Sequence, residues 1–86
     1  MIKKLVWTKE AWSDYVYWQS LDKKTIKRIN KIIETMLQSP FEGIGKPEKL
    51  KNNLSEFISR RIDDTHRIVY AVDENEITII SCRYHY

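Results

Sequence analysis

Three runs rich in β-branched and aromatic residues close this chain, at residues 56–62, 66–72 and 76–85. They are separated only by Asp63-Asp64-Thr65 and Asp73-Glu74-Asn75. Connections this short can join strands only as antiparallel hairpins. Strand side chains alternate between the two faces of a sheet, so unbroken alternation puts Ile58, Arg60, Ile62, Ile68, Tyr70, Val72, Ile80, Cys82 and Tyr84 on one face. That face is mostly apolar and is expected to pack inward. Arg61, Arg67, Ser81, Arg83 and His85 fall on the other face with Val69, Ala71, Ile77 and Ile79, which makes it cationic at one end and apolar at the other.

The N-terminal half supplies the inner layer. Residues 3–7 form a short apolar strand candidate. Thr8 is placed to cap a helix over residues 9–20, with Glu10 and Asp14 in its early turns, where the helix dipole favours acids. Asp22 can cap a second helix, in which Ile26, Ile29, Ile33 and Met36 recur at helical spacing with Ile32 and Leu37 beside them. Ser39-Pro40 ends it, because the residue before proline avoids helical angles. The expected fold class is α+β: one domain over residues 1–86, with a two-helix hairpin packed on one face of a mainly antiparallel twisted sheet. Residues 40–55 are the one long irregular stretch, and loops of that length are often functional.

Composition narrows the classes. Eighty-six residues bury a modest core, and a single cysteine forms no internal disulfide, so a partner subunit is the expected source of added stability. One thiol suits a reducing cytoplasm. One cysteine and two histidines, with Cys82 three residues from His85 and His66 distant, match no zinc spacing, and no cofactor is expected. The first residues lack the apolar core of a signal peptide, and no run reaches the length of a membrane span. The net charge of +3 permits a polyanionic partner. Cations gather in two groups, Lys23, Lys24, Lys27, Arg28 and Lys31 in the second helix, and Arg60, Arg61, Arg67 and Arg83 near the end.

Arginines, a terminal histidine and a loop glutamate make a set suited to cutting RNA without a metal. The 2′-hydroxyl is the nucleophile. A base must take its proton, cations must neutralise the pentacoordinate phosphorus, and an acid must protonate the leaving 5′-oxygen. Glu48 can be the base, Arg67 and Arg61 can hold the phosphate bidentately, and His85 can be the acid. Tyr84 or Tyr86 can stack on a base or position the phosphate. Ordinary alternatives stand beside each role: a surface histidine, a solvated carboxylate, arginines paired across strands, and a solvated face for the Lys23, Lys27, Lys31 stripe. His66, at a strand start, reads as structural, and Cys82 as a small buried hydrophobe.

Gly43-Ile-Gly-Lys-Pro-Glu-Lys-Leu-Lys51, Ser59-Arg-Arg-Ile62, His66-Arg-Ile-Val-Tyr-Ala71 and Cys82-Arg-Tyr-His-Tyr86 resemble the YoeB toxins of the RelE superfamily, as do Trp7, Trp12 and Tyr15-Val-Tyr-Trp18. The resemblance spans the chain. It implies the compact fold related to microbial ribonucleases, and a toxin of a type II toxin–antitoxin module that cuts messenger RNA in the ribosomal A site. By position it assigns the catalytic glutamate to Glu48, the phosphate-binding arginine to Arg67 and the terminal pair to His85 and Tyr86, with Arg61 as a further basic contributor. Lys46, Lys49 and Lys51 are expected to raise the positive potential around them, and Arg83 and Tyr84 to help bind RNA. The implied partners are a YefM-like antitoxin with an acidic segment, the ribosome with its message, and a second copy of the chain in a homodimer. DNA is reached only through the antitoxin. Two other readings stay open: a ParE-like gyrase inhibitor on the same fold, and a non-catalytic RNA-binding module.

Overall fold

The computed structural model describes residues 2–50 and 57–84. Its elements run β1 (Lys4–Trp7), α1 (Lys9–Leu21), α2 (Lys23–Gln38), β2 (Glu48–Lys49), β3 (Phe57–Arg61), β4 (Arg67–Val72) and β5 (Glu76–Ser81). The strands form one mixed sheet in the order β1-β5-β4-β3-β2. Among the described residues β1 pairs in parallel, along β5, and the remaining pairs are antiparallel.

The helix boundaries follow from local chemistry. Thr8 caps α1 by accepting the Ala11 N–H at 3.0 Å. Asp22 ends α1 with its backbone N–H and begins α2 with its carboxylate, which accepts from the Lys24 and Thr25 amides and the Thr25 hydroxyl. These bonds hold the Asp22 carboxyl below its ordinary pKa, the Thr25 side chain contributing most. The apolar stripe of α2 then buries Ile29, Ile32, Ile33 and Met36 against Ile58, Ile62, Ile68, Tyr70, Ile77 and Ile79 of the sheet.

The last two residues of that set overturn the simple alternation. Ile77 and Ile79 lie in the core, not on the outer face. The β4–β5 register steps from Tyr70↔Ile79 to Val69↔Ser81, so Ile80 is an extra residue, a β-bulge. Before it, odd positions of β5 face the helices. After it, Cys82 faces them and Ser81 lies opposite Val69. The bulge is tied to α1: Thr8 donates its hydroxyl to Ile80 O at 2.8 Å and its amide to Ile79 O at 3.1 Å. A second difference concerns residues 40–55. This stretch is not wholly irregular, because Glu48–Lys49 pairs with Ser59 and Ile58 as an edge strand.

Arg60 fixes the loop that leads there. It is fully buried and donates Nε to Tyr70 Oη at 2.8 Å, Nη1 to Ile44 O at 3.2 Å and Nη2 to Ser39 O at 2.6 Å. Tyr70 passes the chain on, donating its hydroxyl to Pro40 O at 2.7 Å, and burial raises its phenol pKa. The loop lies so close that a Cβ on Gly43, at φ +120°, would stand 2.5 Å from Thr35 Cγ2 and 3.0 Å from Arg60 Nη1. Glycine is required there on both counts.

Replacing Arg60 by Ala is expected to cost about 3–5 kcal/mol, the range for stranding buried charge-assisted partners. Urea unfolding measures it, with Arg60→Lys recovering only part because lysine lacks the planar fork. Cys82 yields a separate expectation. Burial, reinforced by Asp14, pushes its thiol from an ordinary 9.0 up to about 12. Between those values the unfolded chain has lost the proton and the folded chain keeps it. Stability therefore falls as pH rises through this window. Thiol labelling at pH 9 should be slow in the native protein and fast in urea.

Candidate active site

On the sheet face away from the helices, one row crosses four strands: Glu48 opposite Ser59, Ser59 opposite Val69, and Val69 opposite Ser81. Two of its members are serines, so the floor is low. Arg67 rises beside it. Its Nη1 donates to Ser59 Oγ at 3.0 Å and lies 3.5 Å from Glu48 Oε1. Among the described residues both contacts fall on Nη1, and the rest of the fork has no bond there. The Arg67 side chain is 20% exposed and that of Glu48 is 61% exposed. The cation is set into the wall, then, while the carboxylate stands in water.

Arg61 is the direct cross-strand partner of Arg67. Like charges opposed across a ladder are destabilising, and here the strand ends pair two arginines, of which Arg67 lies beside the exposed Glu48 carboxylate. Such a pair favours an anion with more than one oxygen, as a phosphate has. Arg61 is held at the backbone: its amide donates to Gly45 O at 2.6 Å and its carbonyl accepts from Arg28 Nη2 at 3.4 Å.

The structure gathers some of the expected residues and separates others. Glu48, Arg67 and Arg61 come together. Lys49 is paired with Ile58, so alternation turns it to the face opposite Glu48, and it does not join them. Lys46 is exposed, with φ +50° on the approach to Glu48. Arg83 is occupied elsewhere: its guanidinium lies 3.6 Å over the Tyr17 ring and 4.8 Å from that of Tyr84, and its Nη2 donates to Tyr84 Oη at 3.1 Å. Hydrogen bonding to Tyr84 raises its pKa further. Tyr84 joins the site through its backbone, its carbonyl accepting the Arg67 amide at 2.9 Å. Lys51, His85 and Tyr86 lie outside the described residues. Sequence reasoning missed Ser59 as the hydroxyl that holds Arg67; its place in Ser59-Arg-Arg, on the same strand parity as Arg61, was the available signal. The Lys23, Lys27, Lys31 stripe is exposed on α2, with Lys31 paired to Glu34 at 3.2 Å.

The described residues thus define a class, that of a small α+β domain, two helices on a mixed sheet, with a carboxylate and two arginines on the outer sheet face. The comparisons narrow it. The YoeB-like toxin family of bacterial type II toxin–antitoxin systems matches residues 7–86. Toxin YoeB of Escherichia coli O6:H1 is 57% identical over 83 residues, covering 96% of this chain and 99% of that protein. The structure of a YoeB dimer from Staphylococcus aureus superposes with a TM-score of 0.91 at 47% identity, covering all of both chains. A heterotetrameric YoeB–YefM toxin–antitoxin complex from Staphylococcus aureus gives 0.88 at 47% identity, over 100% of this chain and 99% of that one. The chain belongs to the YoeB toxin family.

Arg61→Ala is expected to leave thermal stability unchanged or slightly raised, because it relieves a like-charge pair. If the site binds RNA, that binding should weaken, and the slope of log affinity against log salt should shrink by about 0.7 for one lost phosphate contact on a single strand. Melting curves and a salt titration of binding check the two halves.

Proposed function

We propose that this chain is the toxin of a type II toxin–antitoxin module, an endoribonuclease that cuts messenger RNA in the ribosomal A site and so stops translation. The observation that carries the reading is the sharing of Arg67 Nη1 between Glu48 and Ser59, across from Arg61. A base-type carboxylate thereby sits beside two phosphate-binding cations, over a floor of small side chains.

In the proposed reaction Glu48 takes the proton of the 2′-hydroxyl, and the freed oxygen attacks the adjacent phosphorus. Arg67 and Arg61 neutralise the charge that builds on the equatorial oxygens. The bond to the 5′-oxygen breaks, and His85 protonates that leaving group. The product is a 2′,3′-cyclic phosphate, which one water hydrolyses to a 3′-phosphate and a restored 2′-hydroxyl. The roles of His85, and of Tyr86 in positioning the phosphate, follow from the family resemblance. Lys46 and Lys51 add positive potential toward the message. No metal takes part in this scheme, and the protein works in the cytoplasm, where message and ribosomes are.

The partner reading follows the relatives. A YefM-like antitoxin covers the basic face, and two copies of the chain form a dimer; the Staphylococcus aureus relatives form a YoeB dimer and a YoeB–YefM complex.

Primer extension on a translated message tests the activity. The wild type should cut. Glu48→Ala and His85→Gln should each lose about 100-fold or more in rate, the usual cost of removing a general base or acid. Cleavage should survive chelation and vanish when the scissile nucleotide lacks its 2′-hydroxyl. Cutting of that deoxy substrate would overturn the nucleophile. Loss of DNA supercoiling with translation intact would mark a gyrase inhibitor, and tight ribosome binding without cutting would mark a binding module.

A further inference from the structure

A closed circuit of rings and one cation surrounds the chain where it leaves β5, and the mechanism above makes no use of it. The Trp18 indole meets the His66 imidazole edge-on at 4.7 Å, and His66 faces the Tyr84 ring at 5.1 Å. Arg83 stacks between Tyr84 and Tyr17, and Tyr17 returns to Trp18 at 5.3 Å. Trp18 also donates its indole N–H to Cys82 O at 2.8 Å, and the Cys82 amide donates to Asp14 Oδ2 at 3.0 Å.

Inside the circuit, both backbone groups of Tyr84 are fixed. Its N–H donates to His66 Nδ1 at 2.8 Å, and its carbonyl accepts the Arg67 N–H at 2.9 Å. Tyr84 stands at φ +57°, in the left-handed region. A bulky residue persists there only when its surroundings hold it. The geometry points to His66 as a positioning residue for the candidate RNA site. With its proton on Nε2 and its lone pair on Nδ1, it locks Tyr84 into the turn that docks Tyr84 on the start of β4, beside Arg67. It neither donates a proton to substrate nor touches phosphate. Its catalytic consequence rests on the ribonuclease reading; the lock on Tyr84 does not.

Three substitutions separate the acceptor from the ring. In His66→Asn, Oδ1 occupies the place of Nδ1 and keeps the acceptor. His66→Phe keeps a ring for Trp18 and Tyr84 and removes the acceptor. His66→Gln carries its polar group to the Nε2 position and serves in place of Phe should that variant not fold. Amide hydrogen exchange at Tyr84, read by NMR on the whole chain without RNA, should be slow in the wild type and Asn variant and fast in Phe or Gln. On translated message, Phe or Gln should lose about 100-fold in kcat, the scale of a misplaced catalytic group. KM should change little, and Asn should recover most of the loss. Unchanged Tyr84 protection in Phe and Gln would overturn the lock. Fast exchange with unchanged kcat would overturn the positioning role and leave the ribonuclease reading standing. Absence of cutting by the wild type would overturn that reading and the catalytic half of this one, while the exchange data would still decide the lock.

Discussion

A guanidinium buried without a carboxylate beside it among its described bonds organises this small fold. Arg60 is satisfied by two carbonyls and a phenol, and those acceptors come from the end of α2, the glycine loop and the neighbouring strand. Burying a charge is costly unless each donor finds a partner. The loop therefore cannot drift from the sheet without stranding donors. Tyr70 extends the same demand to Pro40. In a chain with a modest core, one satisfied cation thus does for the loop what apolar packing does for the helices.

The arrangement of the candidate site is a consequence of that constraint. Once Gly43 and Gly45 lie against Arg60, the next residues reach the sheet edge and Glu48 pairs with Ser59. The following strand residue is Arg60 itself, facing inward, and Arg61 again faces outward. Alternation thus places the structural cation and a candidate RNA-binding cation side by side in sequence and on opposite sides of the sheet. The pairing of Arg61 with Arg67 concentrates charge that folding alone does not favour. That concentration is compensated in part by the exposed carboxylate of Glu48.

Much of this was legible in the sequence. The caps at Thr8 and Asp22, the stripe of α2 and the three C-terminal strands follow from capping chemistry and periodicity. Glu48, Arg67 and Arg61 were named from their chemistry and their resemblance. What alternation could not supply was its own interruption. Nothing in Ile77-Thr-Ile-Ile-Ser81 marks Ile80 as an extra residue, because an isoleucine suits a strand on either face. The bulge becomes evident only in the pairing with β4 and in the hold of Thr8 on the Ile80 carbonyl. Arg60 posed the opposite difficulty. Its inward parity was correct, but partners as distant in sequence as Ser39 and Ile44 are set by the tertiary fold. The occupation of Arg83 by Tyr17 has the same cause, for the two are brought together by the packing of α1 on β5.

The single surplus residue in β5 works like a phase shift in a wave. Upstream of it, one set of side chains is indoors; downstream, the complementary set is. Were Ile80 instead paired in strict alternation, with no residue left over, inside and outside would be exchanged after it, sending Ser81 toward the oil and Cys82 toward the water. The interior and the outer face of this toxin are thus kept in step by the one residue that the β4–β5 ladder passes over.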